Sequence, residues 1–309
     1  MMRESDFIDW ICAQNECDPA VVPVGPGDDC AIVNIGDESM CVSVDQLLDG
    51  VHFRLEELGA HAVGRKAMAR ALSDIAAMAQ IPIAAVASVA MPKGFSQSDA
   101  QEMYAGRRSV SDEFACPMVG GDTGAWSQKL AISVTVFGKP DGIAPVLRSG
   151  AKVGDAICVT GSFGGAWQTT RHVTFTPRIR EARLLARRCD LHAMIDVSDG
   201  LAIDLSRICK ASGVGASINA ASIPVAPNAE GKRTNITPLQ AAITDGEDYE
   251  LLFTLPPEQA KQLLQDQPFD AAVSCIGHIT QNQPANNLTI TSDDGTINPL
   301  AAEGWDHQT

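Results

Sequence analysis

Apolar residues recur at helical spacing over residues 60–79, where Val63, Ala67, Ala71, Ile75 and Met78 share one stripe. Pro82 is expected to stop this helix. A shorter helix is predicted over 7–17, with Phe7, Ile8, Ile11 and Cys12 on its apolar side. Further helices are expected at 98–114, 178–189, 199–212 and 257–266, with Gly213 closing the one at 199–212. Strand-like runs fall at 30–35, 40–44, 83–91, 130–138, 155–160, 250–255 and 271–279. The Pro- and Gly-containing stretch 139–150 reads as a boundary. Helices and strands mix on both sides of it, so the pattern predicts an α+β chain of two mixed α/β domains, 1–145 and 146–309.

Composition supports two cores. The chain has 309 residues, 45% hydrophobic and 20% charged, enough to bury sizeable interiors. A formal net charge of -15 repels phosphate backbones and anionic lipid, which argues against nucleic acid and membrane partners. No uncharged apolar stretch reaches about 18 residues. The opening residues carry Arg3, Glu4 and Asp6 and do not read as a signal peptide, so a cytoplasmic protein is expected. The nine cysteines form no C-x-x-C pair and fit reduced, mostly buried thiols. With the six histidines also scattered, a zinc site is not expected.

The chemistry lies in aspartates set beside glycine or hydroxyl residues. These are Gly27-Asp28-Asp29, Ser43-Val44-Asp45, Leu72-Ser73-Asp74, Gly120-Gly121-Asp122-Thr123, Asp196-Val197-Ser198-Asp199-Gly200 and Asp245-Gly246-Glu247-Asp248. One such motif alone is usually a plain turn or helix cap. Six in one chain, several directly after strand-like runs, point to hard-cation and phosphate chemistry, for which carboxylates on short turns suit magnesium. Asp74 stands out because its helix is otherwise apolar, and a carboxylate there has to be paired, solvent-facing or metal-bound. Arg70, four residues earlier, offers a plain ion pair on an exposed face as the other reading. The chain lacks the phosphate loop G-x-x-x-x-G-K-[ST], the protein-kinase motifs and the nucleophile elbow G-x-S-x-G.

In order along the chain, GPGDDCAIV (25–33), VSVDQLLDGVHF (42–53), ALSDIAAMA (71–79), VGGDTG (119–124), RSGAKVGDAICVTG (148–161), DVSDGLAIDLSRICKASG (196–213), DGEDYELLFT (245–254) and GWDH (304–307) resemble thiamine-monophosphate kinase, in the aminoimidazole ribonucleotide synthetase superfamily. The resemblance covers nearly the whole chain. It implies N-terminal domains that pair into a homodimer with a shared barrel, a C-terminal α/β sandwich, and ATP in a cleft between domains. The implied reaction moves the γ-phosphoryl group of ATP onto thiamine monophosphate, with several Mg2+ ions. By position, Asp29, Ser43, Asp45, Asp74, Asp122, Asp196 and Asp199 match metal ligands, with Asp74, Asp196 and Asp199 expected at the catalytic centre. Gly121, Asp122, Arg148 and Ser198 match nucleotide contacts, and His52, Glu247 and Trp305 match substrate contacts. Arg148 can fork onto a phosphate. Trp305 offers a flat face to a cationic ring, although it reads equally as a C-terminal packing residue, and His52 as an ordinary loop histidine.

The chain departs from the family pattern at Val44, Ala71 and Gly124, and in a short 160–178 segment where Gly164-Gly165-Ala166-Trp167 stands. These departures spare the carboxylates. They motivate an alternative, a nucleotide- or thiamine-phosphate-binding homologue with weakened turnover. A third reading is another ATP-dependent enzyme of the superfamily. The selenophosphate synthetases usually carry a reactive Cys or selenocysteine in a Gly-rich N-terminal loop, whereas Cys12 and Cys17 lie in or beside an expected helix.

Overall fold

A computed structural model describes residues 4–227, 229, 236–282 and 287–305. Two mixed α/β domains are seen, each built on one sheet. The first sheet takes β1 (Ala31–Ile35), β2 (Glu38–Leu48), β3 (Ile81–Pro92), β4 (Met118–Trp126) and β5 (Ala131–Lys139) in the order β1-β2-β5-β3-β4. Only β3 and β4 run parallel; the other neighbours are antiparallel. Along β5, Ile132, Val134 and Val136 alternate inward, the period of a half-buried strand. They meet α2 (Leu55–Ala77), backed by α3 (Gln97–Glu113).

The two helices approach closely through glycines. A Cβ on Gly64 would stand 2.0 Å from the Met103 carbonyl oxygen, and one on Gly106 would stand 1.9 Å from that of His61. Gly106→Ala should therefore force the helices apart and cost about 1–3 kcal/mol of stability. Chemical denaturation checks this, and an unmoved midpoint would show that the crossing yields at no cost.

The expected boundaries hold best where periodicity is strong. The helix expected at 60–79 ends two residues sooner, at Ala77, and Ala79 turns the chain with φ 56°. Pro82 does not stop it. Pro82 lies inside β3, at a register irregularity before Ala85, where β4 begins to pair, so its missing N–H disturbs no ladder to β4. The first helix, α1 (Glu4–Gln14), begins and ends three residues earlier than expected, and its apolar side is not buried: Phe7 and Ile8, and Trp10 beside them, are exposed. The Gly120–Thr123 motif is itself an edge strand, β4, which its glycines hid from a reading based on alternation.

The second sheet has the order β12-β11-β8-β10-β6-β9-β7. Its strands are β6 (Ala156–Thr160), β7 (Ala193–Asp196), β8 (Val214–Asn219), β9 (Leu251–Leu255), β10 (Val273–Gln281), β11 (Leu288–Thr291) and β12 (Ile297–Pro299). β6 and β9 are buried on both faces. One face, with Cys158, Met194 and Phe253, joins α5 (Ile179–Arg188), α8 (Pro257–Asp266) and the first domain in a continuous core. The other, with Ile157, Ile195 and Leu252, is covered by α6 (Leu201–Ser212) and α7 (Pro238–Thr244). A short α4 (Arg171–Thr174) joins α2 across the domains. The helix α2 is thus the shared wall, which carries Ser73 and Asp74 to the junction. β7, β8, β11, β12 and α7 had no counterpart in the sequence pattern. Among the described residues no helix is long and apolar enough to cross a membrane.

Candidate active site

Three segments converge at the junction. The loop before β1 brings Asp29, the C-terminal end of α2 brings Ser73 and Asp74, and the end of β7 brings Asp196. One carboxylate oxygen from each of Asp29, Asp74 and Asp196 lies within 4.8 Å of the others. Ser43, pointing inward from β2, donates to Asp74, and the Ser73 hydroxyl donates to Asp196 Oδ2 at 2.6 Å. Arg148 forks onto Asp29 at 2.7 and 3.2 Å, while its backbone N–H donates to the carboxylate of Asp28.

Crowded buried carboxylates resist ionisation. Burial first, then Asp45, Asp196 and Asp29, push the Asp74 carboxyl well above its ordinary range. Burial, then Asp29, push Asp196 up to about 8, and burial with Asp29 pushes Asp28 up to about 6. Two serine hydroxyls and one guanidinium do not compensate three carboxylates. Hard oxygen donors, negative charge and partial burial together fit a divalent cation.

The other expected ligands stand apart from this trio. Asp45 faces α2 as Ser43 does, but Arg70 grips it through two bonds of 3.0 Å. The exposed ion pair of Arg70 with Asp74 is therefore replaced by a largely buried one with Asp45. Arg70 Nη1 is buried and makes no hydrogen bond among the described residues; Glu247 lies 4.0 Å away. Asp199 pairs with Arg207 at 2.7 Å, and its N–H donates to Asp204 in the first turn of α6. Gly121 and Asp122 lie on the exposed edge strand β4. A Cβ on Gly121 would meet the Ala87 carbonyl oxygen at 2.0 Å, so glycine is required there by the approach of β3. Ser198 is half-buried, and its carbonyl accepts the Glu247 N–H at 2.7 Å.

Two of the expected substrate contacts, Glu247 and the backbone of His52, meet at a residue the sequence reading missed. Lys66, fully buried in α2, reaches Glu247 at 2.6 Å, the His52 carbonyl at 2.7 Å and His172 Nδ1 at 2.8 Å. The His52 ring itself is turned to its own loop, where Nδ1 accepts the Leu48 N–H. Trp305 shares a cavity of about 510 Å3 with Gly50, Val51, Phe53 and Trp167. Asp306 and His307 of the GWDH motif lie outside the described residues. The signal that singled out Asp74, a charge in an apolar helix, also applies to Lys66 and would have found it.

Family models described as AIR synthase related protein match the chain, the N-terminal domain at 27–139 and the C-terminal domain at 152–285. The fold and the aspartate site thus define an AIR synthase related protein. Among curated relatives, thiamine-monophosphate kinase from Rhodopirellula baltica is 36% identical over 286 residues, 89% of each chain. That from Bacillus subtilis is 30% identical, covering 93% of this chain and 94% of the relative. The solved structure "AaThiL complexed with AMPPCP and TMP" superposes with a TM-score of 0.81 at 26% identity, covering 99% of this chain and 97% of that one. The chain belongs to the thiamine-monophosphate kinase family.

Proposed function

We propose that this chain transfers the γ-phosphoryl group of ATP directly to thiamine monophosphate, giving thiamine diphosphate and ADP. The observation that carries this is the meeting of Asp29, Asp74 and Asp196 at the junction of the two domains. Relatives of that activity, and a neighbour described with AMPPCP and TMP, support it. Asp29, Asp74 and Asp196 would hold Mg2+, with Ser43 and Ser73 orienting the carboxylates. When bound, such an ion neutralises charge on phosphate oxygens. The protein's own part is positioning and electrostatics, with no covalent enzyme intermediate. Arg70 and Arg207 bring positive charge beside Asp45 and Asp199, which the resemblance assigns to the same centre. Gly121, Asp122, Arg148 and Ser198 are assigned to the nucleotide, and His52, Glu247 and Trp305 to the acceptor. Residues 1–145 and 146–309 are the two units of this reading.

Purified protein incubated with ATP, Mg2+ and thiamine monophosphate should form thiamine diphosphate and ADP in equal amounts, and should leave unphosphorylated thiamine untouched. Nucleotide binding without product would favour the weakened-homologue reading, which the closed Asp45–Arg70 pair also motivates.

Metal and pH should be linked. The folded Asp196 carboxyl keeps its proton to about 8 against an ordinary 3.8, so it supports the fold at low pH and withdraws that support as pH rises. A bound cation takes over from the proton. Mg2+ should therefore raise the melting temperature more at about pH 8 than at about pH 6. Equal gains at both would detach the ion from this carboxylate.

A homodimer through the first sheet completes the proposal. The sheet face opposite α2 is open, with Val44 65% and Val119 64% exposed. Light scattering should give twice 32.6 kDa.

A further inference from the structure

We propose that Trp167 determines substrate specificity: with Trp305 it walls an aromatic slot that takes the flat, cationic heteroaromatic end of the acceptor. The proposal rests on the phosphotransfer reading above and adds a residue from the segment where this chain departs from the family pattern.

The two tryptophans reach the same cavity of about 510 Å3 from different parts of the second domain, and Gly50, Val51 and Phe53 line it from the first. That size lies in the range of small-molecule pockets, about 300–1,000 Å3. Trp167 is held firmly. Its ring stacks on His172 with centroids 4.3 Å apart and planes at 21°, and the Lys66 ammonium lies 5.0 Å from its centroid. The loop beneath is anchored: Arg171 donates to the carbonyls of Ser162 and Gly164 and to the Asp248 carboxylate, and the Gly164 N–H donates to Asp248. A ring fixed before binding loses little freedom on binding.

Charge selects the ligand. An indole face attracts cations through its quadrupole. Lys66, the cation over the Trp167 ring, is compensated by Glu247 at 2.6 Å, so it does not set up an uncompensated repulsion. Glu57 and Arg54 both line the rim and pair at 2.9 Å, so the rim adds no net charge and the indole faces carry the preference. A flat ring bearing positive charge, such as a thiazolium with its attached pyrimidine, suits these walls better than a neutral purine.

Steady-state kinetics and calorimetry of Trp167→Ala, Trp167→Leu and Trp167→Phe test the slot. Leucine keeps an apolar filler without a π face, and serves if the alanine variant folds poorly. The expected result is a KM for thiamine monophosphate raised about tenfold or more in the alanine and leucine variants, with kcat within about threefold and most of the loss recovered by phenylalanine. The KM for ATP should not move. An unchanged acceptor KM, or an equal rise in the KM for ATP, overturns the proposal, the second because the slot would then serve the nucleotide. Calorimetry with unphosphorylated thiamine as the probe reads the slot without turnover. Wild-type protein that binds thiamine through Trp167 but makes no product would sink the phosphotransfer reading alone. Wild-type turnover with indifferent Trp167 variants would sink the slot alone.

Discussion

Asp74→Asn should lower turnover at least about a hundredfold while the protein stays folded. The amide has nearly the shape of the carboxylate and can still accept the bond from Ser43. What it lacks is the charge that, with Asp29 and Asp196, would hold a cation against the phosphates. The same change replaces a carboxyl whose ionisation burial and its acidic neighbours already oppose, so without metal the variant should melt no lower than the wild type. Initial rates beside thermal melts check both halves. Near-normal turnover would take Asp74 out of the reacting centre, and a collapsed melting temperature would make its role structural.

Lys66→Met should destabilise the chain by about 3–5 kcal/mol, because it leaves the Glu247 carboxylate beside a buried apolar side chain. Lys66 is 0% exposed. Burial pushes the Glu247 carboxyl up, but Lys66 and then Arg70 outweigh it and hold the group below its ordinary range. With Lys66 gone, what remains near the carboxylate is Arg70 at 4.0 Å, already committed to Asp45, and the His172 ring at 4.0 Å. A fall in melting temperature of roughly 10 °C is expected for a chain of this size. Adding Glu247→Gln should recover part of it, since the stranded charge is then removed too. An unshifted single variant would mean that the pair contributes nothing to the fold.

Long periodic segments were legible in the sequence because burial on one face imposes a period. The helix α2 and strands β2, β3 and β5 fall near their expected positions for that reason. Short strands carry too few residues to show a period, and β7, β11 and β12 have only four, four and three. β4 escaped for another reason: three of its nine residues are glycine, of which Gly121 serves the close approach of β3, and no alternation is left to read.

The aspartate motifs, read together, already marked Asp29, Asp74 and Asp196 among others, and Asp74 stood out because a carboxylate inside an apolar helix is costly without a partner. Local sequence could not decide which carboxylates share a site. Asp29, Asp74 and Asp196 are separated by dozens of residues and meet only because α2 is packed between two sheets. The same packing sets Arg70 against Asp45 and Arg207 against Asp199, so two aspartates with equally suggestive motifs are ion-paired instead. It also seals Lys66 beside Glu247 and turns Trp167 toward the cavity that Trp305 lines. Residue chemistry and spacing are local properties, whereas partner choice depends on distances of a few ångströms between segments far apart in the chain, and those distances are set by tertiary packing.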